Sequence, residues 1–175
     1  MNSKKSALTK AILAASERSL AKQYTPRILE CLGLLSDEEI WWRPNAASNS
    51  VGNMVLHLSG NIRQWIVSGL GGSPDTRERD REFSEQGPIP REKLVALFRK
   101  TVRETCGVLR HLTDESLARK YEIQGYRVTG LETVFHVAEH FAYHAGQIIF
   151  VTKQKRGTDL GFTRLPAVKQ KKRAN

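Results

Sequence analysis

The sequence predicts an all-α protein, a four-helix bundle built from two pseudo-symmetric helical hairpins. Two observations predict this fold class. Apolar residues recur at three- and four-residue steps in four long segments, which places them on one face of a helix. The motif LSDEEI at 35–40 also returns as LTDESL at 112–117, and a helical segment with a histidine follows each copy. Four helices with one apolar face each bury those faces together in a bundle.

The first half of the chain contains two of the four long helices. Periodicity predicts the first helix over about 6–35, where Pro26 either kinks it or begins a second segment. Ser36 and Glu39 have the spacing of a capping box, which predicts a short helix. The second long helix is predicted over about 50–70, and the glycines that follow end it.

The third helix follows a long polar connection. Residues 71–89 are rich in Gly, Pro and charge, and connections of this length in compact domains are usually functional or mobile. Proline is well suited to the first position of a helix, so the third helix is predicted to begin at Pro90 and to run to about residue 112.

The last part of the bundle begins with a short extended segment. Residues 120–130 alternate in the way of an extended segment or small hairpin. Thr129 and Glu132 form a second capping box, which opens a fourth helix that ends near Lys155. We therefore expect one bundle domain over 1–155.

The positive charge of the chain is concentrated in the sequence that follows that domain. The net charge is +10, and from Lys153 onward eight basic residues face one acidic residue. A basic flexible tail is therefore predicted over 156–175. The bundle itself has no basic face interleaved with aromatic residues, so the sequence does not favour a nucleic-acid-binding function. Salt-sensitive affinity of the tail for phosphates is the alternative.

The apolar runs and the cysteines indicate the compartment. No run approaches the roughly 20 apolar residues that cross a bilayer, and none resembles a signal peptide. Cys31 and Cys106 lack CxxC spacing, which is typical of reduced, buried thiols rather than of a disulfide framework. We therefore expect a soluble, cytoplasmic protein without a membrane segment.

Four histidines form the most informative pattern. His136, His140 and His144 follow one another at four-residue steps, so a helix places them in one stripe. His57 lies in the otherwise apolar second helix, at the position that matches His136 in the repeat. Inward histidines of facing helices are typical of a metal site in a bundle, and packed, hydrogen-bonded core histidines are the alternative.

Spacing also limits how many of these histidines bind one ion. Positions 136 and 144 differ by about 80° around a helix, so the three histidines of the stripe do not all join His57 on one metal. One of them is expected in the pocket wall or behind a ligand. Ligand histidines usually donate their second nitrogen to an acceptor, and Glu132 and Asn61 lie on suitable faces.

Three neutral imidazoles with an open fourth position describe a catalytic site for zinc or another borderline divalent ion. Such an ion lowers the pKa of a bound thiol or water. Hydrolysis by metal-activated water also needs a general base, for which Glu132 and Glu139 are the candidates. The residue types alone leave both reactions open.

The last helix also carries a resemblance. HVAEHFAYHAGQII at 136–149 resembles the final-helix signature of the DinB-like proteins, and HLSGNIRQWI at 57–66 resembles their second helix. The similarity extends from about residue 10 to 155. It implies a metal-binding four-helix bundle, commonly a homodimer, with zinc or nickel held by His57, His140 and His144. His136 then has a pocket role.

The resemblance also implies a function. Characterised members of the wider superfamily are metal-dependent transferases or isomerases that use bacillithiol, mycothiol or glutathione. We therefore expect an enzyme that transfers or activates a low-molecular-weight thiol on a small-molecule substrate. A bundle with a structural ion and no catalysis is the alternative. Four arginines could bind the carboxylates of such a thiol: Arg63, Arg77, Arg79 and Arg81. The alternative is that the charged loop is a solvated segment.

Overall fold

The computed structural model of the chain describes residues 5–163. Within them, the chain forms eight α-helices, two π-helical segments and one two-stranded sheet. In chain order these are α1 (Ala7–Glu17), π1 (Arg18–Tyr24), α2 (Thr25–Leu34), α3 (Asp37–Trp41), α4 (Val51–Ile62), π2 (Arg63–Leu70), α5 (Arg79–Ser84), α6 (Arg91–His111), α7 (Asp114–Ala118), β1 (Lys120–Ile123), β2 (Tyr126–Thr129) and α8 (Gly130–Arg156). The all-α fold class is confirmed.

Four long helical rods form the bundle. The first joins α1, π1 and α2, the second joins α4 and π2, and α6 and α8 complete the set. α2 packs on α8, and α4 packs on both α6 and α8, so the second and last rods face each other. Between the rods, the rings of Phe98 and Phe141 stack with centroids 5.7 Å apart, and both side chains are fully buried. This shared core places the two histidine-bearing helices in contact.

The order of elements repeats, as the two sequence motifs predicted. Each half has a long helix, a one-turn helix and then a helix with inward histidines. The one-turn helices are α3 and α7, which begin after Ser36 and Thr113. The halves differ in the connection that follows, because only the second contains the β1–β2 hairpin.

Pro26 begins a segment rather than kinking a single helix. It is the second residue of α2, directly after the π-helical turn of π1. Proline has no N–H to donate, and its ring presses against the carbonyl one turn earlier. Widening that turn relieves the contact and keeps the rod continuous.

Side-chain caps fix the helix starts. Ser36 accepts a hydrogen bond from the Glu39 N–H at 3.2 Å, and Glu39 accepts one from the Ser36 N–H at 2.9 Å. Thr129 and Glu132 form the same reciprocal pair at the start of α8. Both predicted capping boxes are therefore confirmed, and each leaves fewer orphan donors in the first turn.

The connection before α6 is more structured than the sequence indicated. A short helix, α5, lies inside the segment predicted as a loop, and its residue Glu82 is buried. The predicted start of α6 at Pro90 was also one residue early. Pro90 has an extended ψ of 137° and caps the helix, which begins at Arg91.

The short extended segment before α8 is the predicted hairpin. Its strands pair antiparallel, from Lys120 with Thr129 to Ile123 with Tyr126. At the turn, Gln124 and Gly125 both have positive φ, which suits the tight connection of a two-residue hairpin. The pairing ends at the residue that caps α8, so the hairpin fixes where that helix begins.

The remaining sequence expectations concern the tail, the membrane and the cysteines. α8 ends at Gly157, which adopts the left-handed conformation of a helix C-cap. Of the predicted tail, residues 164–175 lie outside the described residues. None of the helices in the described part of the chain combines the length and apolar character that crossing a bilayer requires. Cys31 and Cys106 are free and buried, as expected, and burial raises the pKa of both thiols.

Candidate metal centre

Three histidines from two helices converge in the bundle. His57 comes from α4, and His140 and His144 lie one turn apart on α8. Each offers a ring nitrogen, and these three atoms all lie within 4.8 Å of one another. His57 is buried and the other two are half-buried. Among the described residues, this is the one such group of histidine, cysteine or acidic side chains.

The spacing of the three nitrogens suits a tetrahedral ion. The Nε2 atom of His140 lies 3.0 Å from Nε2 of His57 and 3.2 Å from Nε2 of His144. Ligand nitrogens about 2.0–2.1 Å from a tetrahedral zinc lie about 3.3 Å apart. Two of the separations within the cluster are therefore close to the edge length of that tetrahedron. The residues present fit a borderline divalent ion, for which imidazole is a suitable ligand.

In two of the histidines, the ring nitrogen that faces away from the cluster has a hydrogen-bond partner. That partner determines which ring nitrogen carries the proton. His57 Nδ1 lies 2.9 Å from a carboxylate oxygen of Glu82, and His144 Nδ1 lies 2.7 Å from Oε1 of Gln147. An ionised carboxylate only accepts, so His57 carries its proton on Nδ1. The amide oxygen of Gln147 is also an acceptor, so His144 carries its proton on Nδ1. Both rings therefore turn an unprotonated Nε2 toward the cluster.

Arg77 also approaches Nδ1 of His57, but its N–H groups donate to Glu82. Its Nη2 lies 3.2 Å from His57 Nδ1 and 2.7 Å from Oε2 of Glu82, while its Nε lies 2.7 Å from Oε1. The guanidinium therefore grips both carboxylate oxygens, which is the strong bidentate geometry. The short contacts to Glu82 outweigh the longer one to a ring nitrogen that already carries hydrogen.

The Arg77–Glu82 pair is almost fully removed from water. The side chains are 4% and 9% exposed, respectively. Burial raises the pKa of Glu82, but hydrogen bonds from Arg77 and then His57 outweigh that effect and hold the pKa below its ordinary value. Glu82 is therefore an anion at neutral pH. It places one negative charge behind the His57 ligand nitrogen.

The two imidazoles that α8 contributes to the cluster are neutral at pH 7. Burial, followed by the charges of the neighbouring histidines and Arg77, lowers the pKa of His140 to about 3. Burial also lowers the pKa of His144, helped by His57, although the bond to Gln147 opposes the shift. Metal ligation requires the unprotonated form, so the site is prepared for a cation.

His136 lies beside the cluster and not in it. Its ring stacks on Trp65 with centroids 4.1 Å apart and faces His140 at 5.6 Å. Burial lowers the pKa of His136 as well, with Glu139 opposing the shift. A cavity of about 460 Å³ is lined by Trp65, Gln124, Tyr126, Val128, Glu132 and His136. The histidine thus forms a wall between this cavity and His140.

The other residues predicted for the pocket or behind a ligand make no hydrogen bond to the three histidines within the described residues. The backbone N–H and the hydroxyl of Thr129 both donate to Oε2 of Glu132 at the start of α8. Glu132 also lines the cavity beside His136. Arg63 pairs with Glu104 of α6 at 2.9 Å. Asn61 is buried, and its Oδ1 has no hydrogen-bond partner in the described residues. The acceptor for His57 is Glu82 instead.

Sequence reasoning missed Glu82 because its neighbourhood resembles a solvated loop. Arginines and acids alternate from Arg77 to Glu82, and the four residues between these two are exposed. Among those four, Arg81 pairs with Glu78 at 2.6 Å. Two local signals were available. The apolar Phe83 follows Glu82 and lies against the His57 ring, with centroids 4.7 Å apart. Gly60 sits one turn after His57, where a side chain would leave no room for that carboxylate.

A second cavity reaches the cluster from the opposite side. It has a volume of about 410 Å³, and its lining includes His144, Gln147, Tyr143, Asn49 and Phe150. The two cavities therefore lie on either side of the histidines along α8. Each has the size of a small-molecule site.

Comparison with known proteins supports the same fold. The family model described as "Protein of unknown function (DUF1572)" matches residues 10–169. A conserved protein from Enterococcus faecalis, 16% identical, has a solved structure similar to this chain with a TM-score of 0.70. That alignment covers 83% of this chain and 97% of the other. No curated protein sequence matches this chain.

Two further solved structures are described as DinB-like proteins. The one from Bacillus subtilis is 20% identical, with a TM-score of 0.61 over 88% of this chain and 95% of the other. The one from Bacillus cereus is 19% identical, with a TM-score of 0.59 over 78% and 87%. The resemblance noted in the sequence is thus confirmed in the fold.

Proposed function

The chain belongs to the DUF1572 family, and from the cluster that its DinB-like fold assembles we propose that it is a divalent-metal-dependent enzyme. The ion, zinc or nickel, is held by His57, His140 and His144. The substrate is a low-molecular-weight thiol, which the enzyme activates or transfers to a small electrophile. The observation that carries the proposal is that three imidazole nitrogens from two helices lie within 4.8 Å of one another.

Three ligands favour a catalytic rather than a structural ion. Structural zinc sites usually close with four protein ligands, whereas catalytic sites keep a position for a substrate. In the described residues, no cysteine or acidic side chain joins the three histidines. When bound, the ion would supply the positive charge that favours the thiolate form of a small thiol.

The side chains around the cluster prepare that chemistry. Glu82 and Gln147 hold two of the rings by their outer nitrogens, so these ligands are oriented before any ion arrives. The cavity beside His144 and the cavity beside His136 give separate places for a thiol and an electrophile. In the transfer, the sulfur forms a bond to the electrophilic carbon, the leaving group departs with the bonding electrons, and the thiol proton goes to solvent.

Hydrolysis is less well supported by the same geometry. It requires a free general base near the reacting water. Glu82 is close to the site, but Arg77 and His57 occupy both of its oxygens. Glu132 caps α8, and Glu139 is exposed. Thiol chemistry needs no such base and therefore remains the better proposal.

The proposal includes a homodimer in the cytoplasm. Its support is that α8 carries large apolar side chains that are strongly exposed in the single chain, among them Phe135 at 63% and Phe150 at 62%. Large apolar side chains exposed together on one helix are typical of an association surface. Light scattering during size-exclusion chromatography tests the dimer by the mass of the eluting species.

A direct assay tests the function. Protein loaded with Zn²⁺ or Ni²⁺ is mixed with monochlorobimane and bacillithiol, mycothiol or glutathione in turn, and the fluorescent thioether is followed. We expect one thiol to react faster with wild type than with His144→Ala, and His111→Ala, which alters an exposed histidine, to match wild type. Equal rates for all three proteins with every thiol would contradict the proposed transfer.

A further inference from the structure

We propose that Glu82 is a positioning residue of the metal centre, and that Arg77 holds it in place. This inference rests on the metal site in the proposed function, but not on thiol transfer. Glu82 lies in α5, 25 residues beyond His57 and in a segment that contributes no ligand. Its role is to set the orientation and basicity of one ligand from the opposite side of the ring.

The carboxylate is well placed to orient His57. It accepts a hydrogen bond from Nδ1–H of His57, with the nitrogen and oxygen 2.9 Å apart, which leaves the Nε2 lone pair directed at Nε2 of His140. The ring of Phe83, the next residue, lies against the His57 ring and restricts its rotation. A carboxylate behind a ligand histidine also raises the basicity of the ligand nitrogen. Of the three histidines, only His57 has such an anion as its partner.

Arg77 makes a buried carboxylate tolerable at this position. Burying an anion without a partner is strongly unfavourable, and the bidentate contact supplies the opposite charge. The guanidinium is itself anchored, because its Nη1 donates to Oε1 of Gln64 in π2 at 2.9 Å. Gln64 in turn donates to Asp75 at 2.7 Å. The loop is therefore tied to the rod that carries His57.

Gly60, on the same helix as His57, leaves space for this network. A Cβ atom built on Gly60 would lie 1.9 Å from Oε1 of Glu82 and 3.0 Å from Nε of Arg77. No side chain fits there while the pair is in place. The absence of a side chain one turn after His57 is thus a requirement of the contact between Glu82 and this ligand.

The test compares Glu82→Gln with Glu78→Gln. Both variants remove one negative charge from the same short segment, but Glu78 is exposed and pairs with the exposed Arg81. Zn²⁺ affinity is measured by competition with a chromophoric chelator, and Co²⁺ is added to read the ligand field from its visible absorption. Melting of the metal-free proteins reports any loss of stability that is independent of metal.

We expect Glu82→Gln to weaken Zn²⁺ binding by about 10–100-fold and to shift the Co²⁺ bands, because losing such a partner typically has an effect of this size. Glu78→Gln should match wild type in both measurements. If Glu82→Gln melts earlier without metal but binds Zn²⁺ as tightly as wild type, Glu82 is merely structural and the inference is overturned.

A second variant covers the case in which Glu82→Gln does not fold. Arg77→Lys keeps the charge but loses the bidentate hydrogen bonds to Glu82, so it should weaken Zn²⁺ binding by a smaller factor than Glu82→Gln does. Unchanged affinity in a folded Arg77→Lys would then overturn the inference. Wild type that binds no Zn²⁺ would instead overturn the metal centre itself, which distinguishes the two failures.

Discussion

The Nε2 atoms of His57 and His140 lie 3.0 Å apart, although 83 residues separate them in the chain. Because Glu82 holds the His57 proton on Nδ1, the His57 Nε2 atom presents a lone pair. His144 presents a second one, at 3.2 Å from the same His140 nitrogen. A single N–H of His140 can satisfy only one of these lone pairs, whereas one cation satisfies all three nitrogens.

Metal should therefore stabilise the fold. An ion that binds only the folded state adds about 2.7 kcal/mol when its free concentration is about a hundred times Kd. We expect Zn²⁺ to raise the melting temperature of wild type and chelation to reverse the rise. Scanning calorimetry with and without Zn²⁺ measures the shift. A variant without the cluster, His140→Ala, is the control, and an equal rise in that variant would indicate binding elsewhere.

Metal should also protect the loop before α6 from proteolysis. Arg79 and Arg81 are exposed and offer trypsin sites next to Glu82. If Glu82 strengthens metal binding through His57, then metal binding strengthens the Glu82 contact by the same free energy. Limited trypsin digestion should be slower with Zn²⁺ in wild type. In Glu82→Gln the protection should be lost, and equal protection in the two proteins would argue against this coupling.

Gly60→Ala should damage both stability and metal binding. The added methyl group overlaps the Glu82 carboxylate, and crowding of this kind in a packed site costs about 1–3 kcal/mol. The matched control is Gly107→Ala in α6, where nothing lies within 4 Å of the new atom. That substitution should be neutral or stabilise by about 0.5–1 kcal/mol, because alanine favours helix. Urea unfolding and Zn²⁺ titration compare them.

His136→Ala should leave the ion in place. The His136 ring packs on Trp65 and faces His140 without contributing to the three-nitrogen group. Zn²⁺ affinity should stay near the wild-type value, whereas His144→Ala should lose binding. Isothermal titration measures both. A loss of affinity in His136→Ala as large as that in His144→Ala would place His136 among the ligands.

Much of the fold could be predicted from the sequence because its signals are local. Apolar periodicity sets the four rods, and the pairs Ser36 with Glu39 and Thr129 with Glu132 set helix starts. The π-helical turns were not predictable in this way. They depend on how the rods pack and, before α2, on how the chain accommodates Pro26.

The candidate site was predictable only in part, because only some of its residues have a local sequence signal. His140 and His144 share one helix face by spacing alone, and the repeat indicated His57. Glu82 lies in a charged stretch without periodicity, and the adjacent apolar Phe83 does not by itself show that Glu82 turns inward. Its burial depends on His57 and Gly60, which are distant in sequence, and on the nearby Arg77, which Gln64 anchors.

The metal content of the purified protein tests the central claim most directly. Protein prepared without an affinity tag from metal-replete cells is examined by elemental analysis beside His57→Ala, His144→Ala and the control His111→Ala. We predict near-stoichiometric zinc or nickel in wild type and in His111→Ala, and its loss in both cluster variants. Metal-free wild type, or full metal content in His57→Ala and His144→Ala, would contradict a centre shared by α4 and α8.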